Sequence, residues 1–249
     1  MGQMWDKWGV RLRAAVGSKS MPPSASLVVT LGIPLVALAV GAALVLGARL
    51  ARANARVVAA ILVGWSVLAA VLSLSGVLAN FEAHPPPLAP YFVGTLVLGV
   101  ALAFSRIGAR LATLPLPMLV GFHAFRLPLE LVMHQAATEG TMPAQMSYSG
   151  LNFDIVTGVT AAAFALVLAK RKVPPSIVLA WNVLGTALLA GIVTIAFAST
   201  PIFHAFGTRP EQLNTWVAYF PYAYIALAVM GALLGHIVLF RRLLGGSQH

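Results

Sequence analysis

The sequence contains no cysteine and very few acidic residues. Among its 249 residues, Asp and Glu together number 6, against 16 Lys and Arg. Without cysteine, the protein has no disulfide, no thiolate metal ligand and no thiol nucleophile. Only 9% of the residues are charged, whereas a soluble domain carries about 25%. This is too little charge to cover a water-exposed surface, so the composition excludes a soluble enzyme.

Long apolar runs take the place of the missing charge, and 59% of the residues are hydrophobic. A helix that crosses the hydrocarbon layer needs roughly 20 mostly apolar residues. Seven runs qualify, at 26–48, 57–79, 90–108, 116–137, 153–170, 176–198 and 215–240. The sequence therefore predicts an all-α fold, a polytopic membrane bundle of seven transmembrane helices whose solvent is the lipid bilayer.

The net charge of +10 does not indicate a nucleic-acid partner, because the basic residues lie in short runs between the apolar segments. Ten basic residues fall in one alternating set of connections and the C-terminal end: Arg49, Arg52, Arg56, Arg106, Arg110, Lys170, Arg171, Lys172, Arg241 and Arg242. In the loops of the other set, Arg209 is the only Lys or Arg residue. Positive residues favour the cytoplasmic side, so we predict an N-terminus outside and a C-terminus in the cytoplasm, in a bacterial inner membrane.

This topology divides the chain into three parts. We expect an N-terminal interfacial tail over 1–25, a transmembrane domain over 26–240 and a basic cytoplasmic tail over 241–249. The first tail opposes the predicted orientation, since it places four basic residues outside. A short amphipathic helix lying in the membrane interface would accommodate it.

The fourth apolar run carries an unusual polar stripe. His123, Arg126, Glu130 and His134 follow one another at intervals of three, four and four, which is the spacing of one helix face. Ionisable groups at membrane depth are costly and mark functional sites. Pro128 lies within the stripe and predicts a kink. We therefore expect this face to line the bundle interior or a water-filled cavity.

Asn152 and Asp154 begin the fifth run at the level of Glu130 and His134. The six stripe and helix-start residues together predict an outward-facing polar pocket that binds a ligand. A purely structural interpretation is also open. Arg126 could pair with Glu130 within one helix, Asn152 could act as an N-cap, and Asp154 could complement the helix dipole.

Two metal sites are conceivable at the same place. Met133, His134, Met142 and Met146 offer the thioether and imidazole ligands that suit copper(I). Glu130, His134 and Asp154 offer the carboxylate and imidazole ligands that hold zinc or iron. The spacing matches no established metal, phosphate-binding or nucleophile motif, so the metal, and with it any enzymatic role, stays open.

Three strings give the chain a resemblance to a family of bacterial seven-helix integral membrane proteins. They are Arg126-x-Pro128-x-Glu130-x-x-x-His134, Asn152-Phe-Asp154-Ile and Trp181-Asn182-x-x-Gly185. The resemblance covers 116–240 and implies the fold without an activity. A retinal protein is excluded, because 215–240 contains no lysine for a Schiff base.

The leading functional prediction is a membrane protein that binds, and translocates, a small polar or ionic solute. Arg126 would hold an anionic group, while Glu130, His134 and Asp154 would relay protons or coordinate a cation. The alternatives are a membrane-embedded metal-dependent enzyme and a non-catalytic subunit whose stripe contacts a membrane-protein partner or a second copy of the chain.

Overall fold

The computed structural model describes residues 24–245, and this part of the chain is helical with no β-strand. The predicted tail over 1–25 therefore falls almost wholly outside the described residues, as does the end of the predicted tail over 241–249. Within 24–245 the α-helices are α1 Leu27–Leu50, α2 Ala55–Leu74, α3 Leu88–Phe104, α4 Arg106–Leu111, α5 Leu116–Gly121, α6 Arg126–Thr138, α7 Ile155–Lys170, α8 Pro175–Ala198 and α9 Ile225–Leu244.

Five helical segments of this part are long and apolar enough to cross a membrane. They are Leu27–Leu50, Ala55–Leu74, Leu116–Thr138, Pro175–Ala198 and Tyr222–Leu244. The helices α3 and α7 are apolar but shorter, with 17 and 16 residues. Each of the seven predicted runs thus contains a helix, and five of those helices have the length of a full span.

The outer surface of the bundle is apolar. Large side chains such as Leu27, Leu38, Leu74, Phe104 and Leu166 are between 65% and 75% exposed. A water-soluble protein rarely exposes so many large apolar groups. Lipid chains would cover this surface, which agrees with a membrane protein.

The last helix, α9, forms the centre of the bundle. It packs against α1, α3 and α8, and most of its residues are buried. Small residues make this position possible, since a Cβ at Gly99 of α3 would lie 2.8 Å from Met230 Cγ. Close approach through small residues is the usual way in which membrane helices pack.

The aromatic residues at the ends of the bundle differ from the sequence prediction. The sequence places Tyr91, Tyr148, Trp216 and Tyr219 at the predicted outer interface, where aromatic belts form. Of these, Tyr91, Trp216 and Tyr219 are at most 9% exposed. Tyr91 donates its hydroxyl to the carbonyl of Ala223 at 3.1 Å. Tyr91 thus joins α3 to the turn that precedes α9, and all three side chains are covered by protein.

The fourth run is one continuous helical path with a tighter turn in its middle. Its α5 and α6 are joined by a 3₁₀ turn, Phe122–Phe125. Pro128 lies in the first turn of α6, where its missing N–H leaves no helical bond unmade. The helix is therefore distorted, as the presence of Pro128 predicts, but the distortion is the 3₁₀ turn Phe122–Phe125, one turn before the proline.

The seventh run also begins later than predicted. Residues 215–221 form a separate 3₁₀ turn, Trp216–Ala218, and a connection to the turn Tyr222–Tyr224. Pro221 lies within the predicted seventh run, where it would kink a helix, but in the structure it precedes α9. At the other end, α9 continues to Leu244, four residues past the predicted end of the transmembrane domain.

The end of α6 holds the start of α1. The backbone N–H of Ser26 donates to Glu139 Oε2 at 2.9 Å, and the Gln135 amide donates to Oε1 at 2.7 Å. Hydrogen bonds from Ser26 and Gln135 lower the pKa of Glu139 below its ordinary value. This contact fixes the fourth segment beside the first.

Candidate functional site

The buried ionisable side chains lie in a single cluster. Among residues 24–245, the buried His, Arg, Asp and Glu residues are His123, Arg126, Glu130, Asp154 and His236. Each is at most 4% exposed. Three of them come from the 3₁₀ turn and α6, one from the start of α7 and one from α9. We call this set the ionisable cluster.

Arg126 forms a buried ion pair with Asp154. Its Nη1 lies 2.6 Å from Asp154 Oδ1 and also donates to the carbonyl of Gly185 at 3.4 Å. The sequence interpretation that paired Arg126 with Glu130 is therefore wrong. A basic residue that precedes its acidic partner by four positions has the less favourable orientation within a helix, and α7 brings a carboxylate closer.

Glu130 has a different partner. Its Oε2 accepts a hydrogen bond of 2.7 Å from the Asn152 amide, whose Nδ2 also donates to the carbonyl of Met146 at 3.1 Å. Asn152 is thus the residue that holds the Glu130 carboxyl in place. The predicted neighbourhood of Glu130, Asn152 and Asp154 is present, although an amide rather than an arginine contacts Glu130.

The start of α7 also differs from the expected cap. Asp154 occupies the N-cap position, but its side chain accepts from Arg126 and from Thr157 Oγ1, at 3.2 Å, instead of capping the backbone. Asn152 Oδ1 accepts from the Asp154 backbone N–H at 3.0 Å. The N-cap assignment of Asn152 is therefore wrong, and the turn before the helix serves to place both side chains.

Glycine allows α7 to approach α6 at this point. A Cβ at Gly158 would contact the backbone nitrogen of Leu127 and would lie 2.9 Å from the carbonyl carbon of Arg126. Backbone atoms cannot rotate away as a flexible side chain can. The contact between Gly158 and the start of α6 therefore sets the distance across which Arg126 and Asp154 meet.

A cavity of about 80 Å³ lies against the cluster. Arg126, Glu130 and Asp154 line it on one side, and the other walls are apolar side chains of α3, α8 and α9, including Phe92, Leu189 and Val229. We call it the ionic cavity. A water needs roughly 10–15 Å³ of such volume, so there is room for several waters or for a small organic group.

Arg126 has hydrogen-bonding capacity to spare at this cavity. Its Nε and Nη2 atoms are buried and have no hydrogen-bond partner among the described residues. A guanidinium presents five donors and seeks carboxylate or phosphate oxygens. Unpaired buried donors are costly, so this arrangement favours a bound acceptor group.

The two histidines of the cluster face each other behind Arg126. The ring centroids of His123 and His236 are 4.1 Å apart, and Trp181 lies 5.7 Å from the His123 ring. His236 Nδ1 is 2.7 Å from Asn182 Oδ1, while Asn182 Nδ2 donates to the His236 carbonyl at 3.1 Å. Asn182 of α8 thus forms its hydrogen bonds across helices, to His236 of α9. His236 is completely buried.

His134 lies apart from the other stripe residues. Its Nδ1 is 2.9 Å from Ser147 Oγ, its ring stacks on Tyr148 at 4.3 Å, and it does not line the ionic cavity. At about 100° per residue, eight residues of ideal helix rotate a side chain by about 80° relative to the first. This drift takes His134 away from the direction of Arg126.

The predicted zinc or iron ligands Glu130, His134 and Asp154 are not brought together as a metal site. In the described part of the chain, no three His, Cys, Asp or Glu side chains form a group able to hold a metal ion. Met133, Met142 and Met146 are buried in the apolar core, and only Met133 and Met146 line the ionic cavity. The ionisable cluster thus contains an ion pair and hydrogen bonds between side chains.

Sequence reasoning missed His236 and the apolar walls of the cavity. His236 lies 110 residues after Arg126, and only the packing of α9 through the centre brings it close. The string Trp181-Asn182-x-x-Gly185 is the one available signal. A Cβ at Gly185 would lie 2.7 Å from His236 Cε1, so this glycine allows the histidine to fit.

Comparison of the chain with protein-family models, with curated proteins and with solved structures finds no match.

Proposed function

We propose that this protein is an integral membrane protein that binds a small solute carrying an anionic or acceptor group in the ionic cavity. The observation that carries the proposal is the buried Arg126 guanidinium, whose Nε and Nη2 have no partner among the described residues. Asp154 already takes one edge of this guanidinium. The remaining donors are available to a ligand, which would complete the hydrogen bonding of the guanidinium.

The apolar walls indicate the rest of the ligand. Apart from Arg126, Glu130 and Asp154, the cavity is lined mostly by aliphatic and aromatic side chains. Ligand sites of this kind use a few polar groups for orientation and apolar contact for affinity. We therefore infer an amphiphilic solute, with an oxygen-bearing head at Arg126 and a short apolar body between α3 and α8.

The same proposal includes the topology. We propose that α3 and α7 also cross the membrane, giving seven spans, with the N-terminus outside and the C-terminus in the cytoplasm of a bacterial inner membrane. At about 1.5 Å per residue they measure about 25 Å and 24 Å, against about 30 Å for the hydrocarbon layer. Both are packed among other helices, where irregular ends are tolerated at membrane depth. The ionic cavity would then open outward and serve solute uptake or release.

A matched series of short ligands tests the proposal. Straight-chain carboxylates of four to eight carbons would be compared with alcohols and amines of equal length, using ligand-detected NMR on the protein in nanodiscs. We expect the carboxylates to bind, the alcohols to bind at least tenfold more weakly and the amines to show no binding above empty nanodiscs.

Two variants identify the site. Ala196→Leu fills the cavity wall without changing a charge, and it should abolish carboxylate binding. Arg209→Gln changes a surface arginine whose side chain is 76% exposed, and it should leave binding unchanged. Equal binding of carboxylates and amines, or full binding by Ala196→Leu, would contradict the proposal.

A further inference from the structure

A second cavity lies on the other side of the ionisable cluster. It has a volume of about 240 Å³ and is lined by α1, by residues of and around α4 and α5, and by Phe122, Leu234 and Gly235. We call it the apolar cavity. The loops at the ionic cavity precede α3 and follow α8, whereas Leu111 and Leu114 at the apolar cavity follow α3. The two cavities therefore approach the cluster from opposite ends of the bundle.

The layer between the two cavities contains the histidine pair. Glu130 and Arg126 line the ionic cavity, and Phe122 and Gly235 line the apolar cavity. A Cβ at Gly235 would lie 2.9 Å from both Cε1 and Nε2 of His123. The His123 ring is thus directly behind the wall of the apolar cavity.

The histidines have free proton-accepting capacity. Asn182 Nδ2 donates to the His236 carbonyl, so its Oδ1 faces His236 Nδ1 and must accept the proton carried there. The Nε2 atom of His236 is left as a lone pair. It is buried and has no hydrogen-bond partner among the described residues, and the same is true of both ring nitrogens of His123.

With both carboxylates ionised, the ionisable cluster has one more negative than positive charge, so one added proton makes it neutral. Arg126 contributes one positive charge, while Asp154 and Glu130 contribute two negative charges when both are ionised. The helices α5 and α8, which also pack around the histidines, contain no ionisable residue, and α1 has only Arg49 in its last turn. A buried net charge is strongly unfavourable. The cluster becomes neutral when one proton is added, either to Glu130 or to the histidine pair.

We propose that the cluster is a proton-transfer site in which one proton moves between Glu130, reached from the ionic cavity, and the His123–His236 pair, reached from the apolar cavity. The proton leaves the Glu130 carboxyl group, which becomes a carboxylate, and a free ring nitrogen of the pair takes it up and becomes an imidazolium nitrogen. Release to the apolar cavity restores the neutral ring. This inference goes beyond solute binding and does not require it.

A flux measurement without any solute tests the transfer. Purified protein would be placed in potassium-loaded vesicles containing a pH-sensitive dye, and valinomycin would impose a potential. We expect proton entry above that of empty vesicles, reduced at least tenfold in Glu130→Gln and in His236→Asn. His134→Asn, whose histidine lies apart from the cluster, should stay within twofold of the wild type. Wild-type flux equal to that of empty vesicles, or undiminished flux in both cluster variants, would overturn the proposal.

A second measurement stays informative if a variant folds poorly. NMR of ¹⁵N-histidine in the wild type should show a ring of the pair that titrates, with His236 keeping its Nδ1 proton throughout. Glu130→Gln removes one negative charge, so the pair should take up its proton at a lower pH than in the wild type. A pair that stays neutral from pH 4 to pH 9, or whose titration ignores Glu130→Gln, would overturn the proposal while leaving solute binding at Arg126 unaffected.

Discussion

Arg126 and Asp154 illustrate how strongly a single pair can determine stability in this bundle. Their side chains are 1% and 5% exposed and 2.6 Å apart, so neither charge has water as an alternative partner. The exposed pair of Arg209 and Glu211, at 3.8 Å and 76% and 60% exposure, provides a comparison within the same chain. Exposed pairs of that kind contribute about 0–1 kcal/mol.

We expect Arg126→Leu and Asp154→Leu each to lower the free energy of unfolding by about 3–5 kcal/mol, because each leaves one buried charge without its partner. The double variant should be more stable than either single variant, since it leaves neither member of the pair buried without its partner. Denaturant unfolding in a single detergent would measure all three, with Arg209→Leu expected within about 0.5 kcal/mol of the wild type. Single variants as stable as the wild type would show that the pair is not buried.

The sequence predicted the charged residues that line the ionic cavity better than it predicted which of them form ion pairs and hydrogen bonds with each other. Spacing alone placed Arg126 and Glu130 on one face, and both do line the ionic cavity. Spacing cannot show that Asp154 lies closer to Arg126 than Glu130 does, because that depends on the approach of α7. The same spacing argument misplaced His134, since ideal helix geometry drifts over eight residues.

At the scale of helices, the apolar runs predicted the order and approximate bounds of all seven helical segments. The errors fall at the ends and at breaks, where hydropathy carries no information about local turns. Residues 215–221 are apolar enough to extend the seventh run, yet they form a 3₁₀ turn and a connection instead. The central position of α9 was also not predictable, since an apolar helix facing lipid and one facing protein have similar compositions.

The crossing of α6 and α7 gives a prediction at this scale. Gly158→Ala should lower the free energy of unfolding by about 1–3 kcal/mol, the usual cost of overpacking, because the new Cβ would meet the backbone of Arg126 and Leu127. Solute binding in the ionic cavity should weaken with it, since the two helices hold Arg126 and Asp154 together.

Gly191→Ala is the matched control for this change. Gly191 lies in α8 and nothing lies within 4 Å of its Cβ position. Alanine gains about 0.5–1 kcal/mol over glycine in a helix, so this variant should be as stable as the wild type or more stable. Thermal unfolding of both variants in the same detergent would measure their stabilities. Equal stability of Gly158→Ala and Gly191→Ala would refute the close crossing of α6 and α7.

At the scale of the whole molecule, the ionic cavity and the apolar cavity lie on opposite sides of the ionisable cluster, so the two ends of the bundle differ. The ionic cavity is associated with the loops before α3 and after α8, and the apolar cavity with the loop after α3. Basic residues lie at the same end of the bundle as the apolar cavity. Arg106 and Arg110 follow α3, and Arg241 donates to the carbonyls of Ala103 and Ser105 at that end. The end of the bundle with the apolar cavity is thus the basic end.

Because positive loops favour the cytoplasm, we expect a reporter enzyme fused after Arg242 to be active only in the cytoplasmic compartment. A reporter inserted after Arg171, in the loop between α7 and α8, should give the same result, and one inserted after Thr208 should give the opposite result. The three positions sample both ends of α8 and the end of α9, so an inverted bundle would reverse all three readings together. In that case the ionic cavity would face the cytoplasm, and Arg126 would meet its solute from inside the cell. A mixture of the expected and the reversed readings would instead contradict the proposed number of spans, because α8 and α9 could then not both cross the membrane.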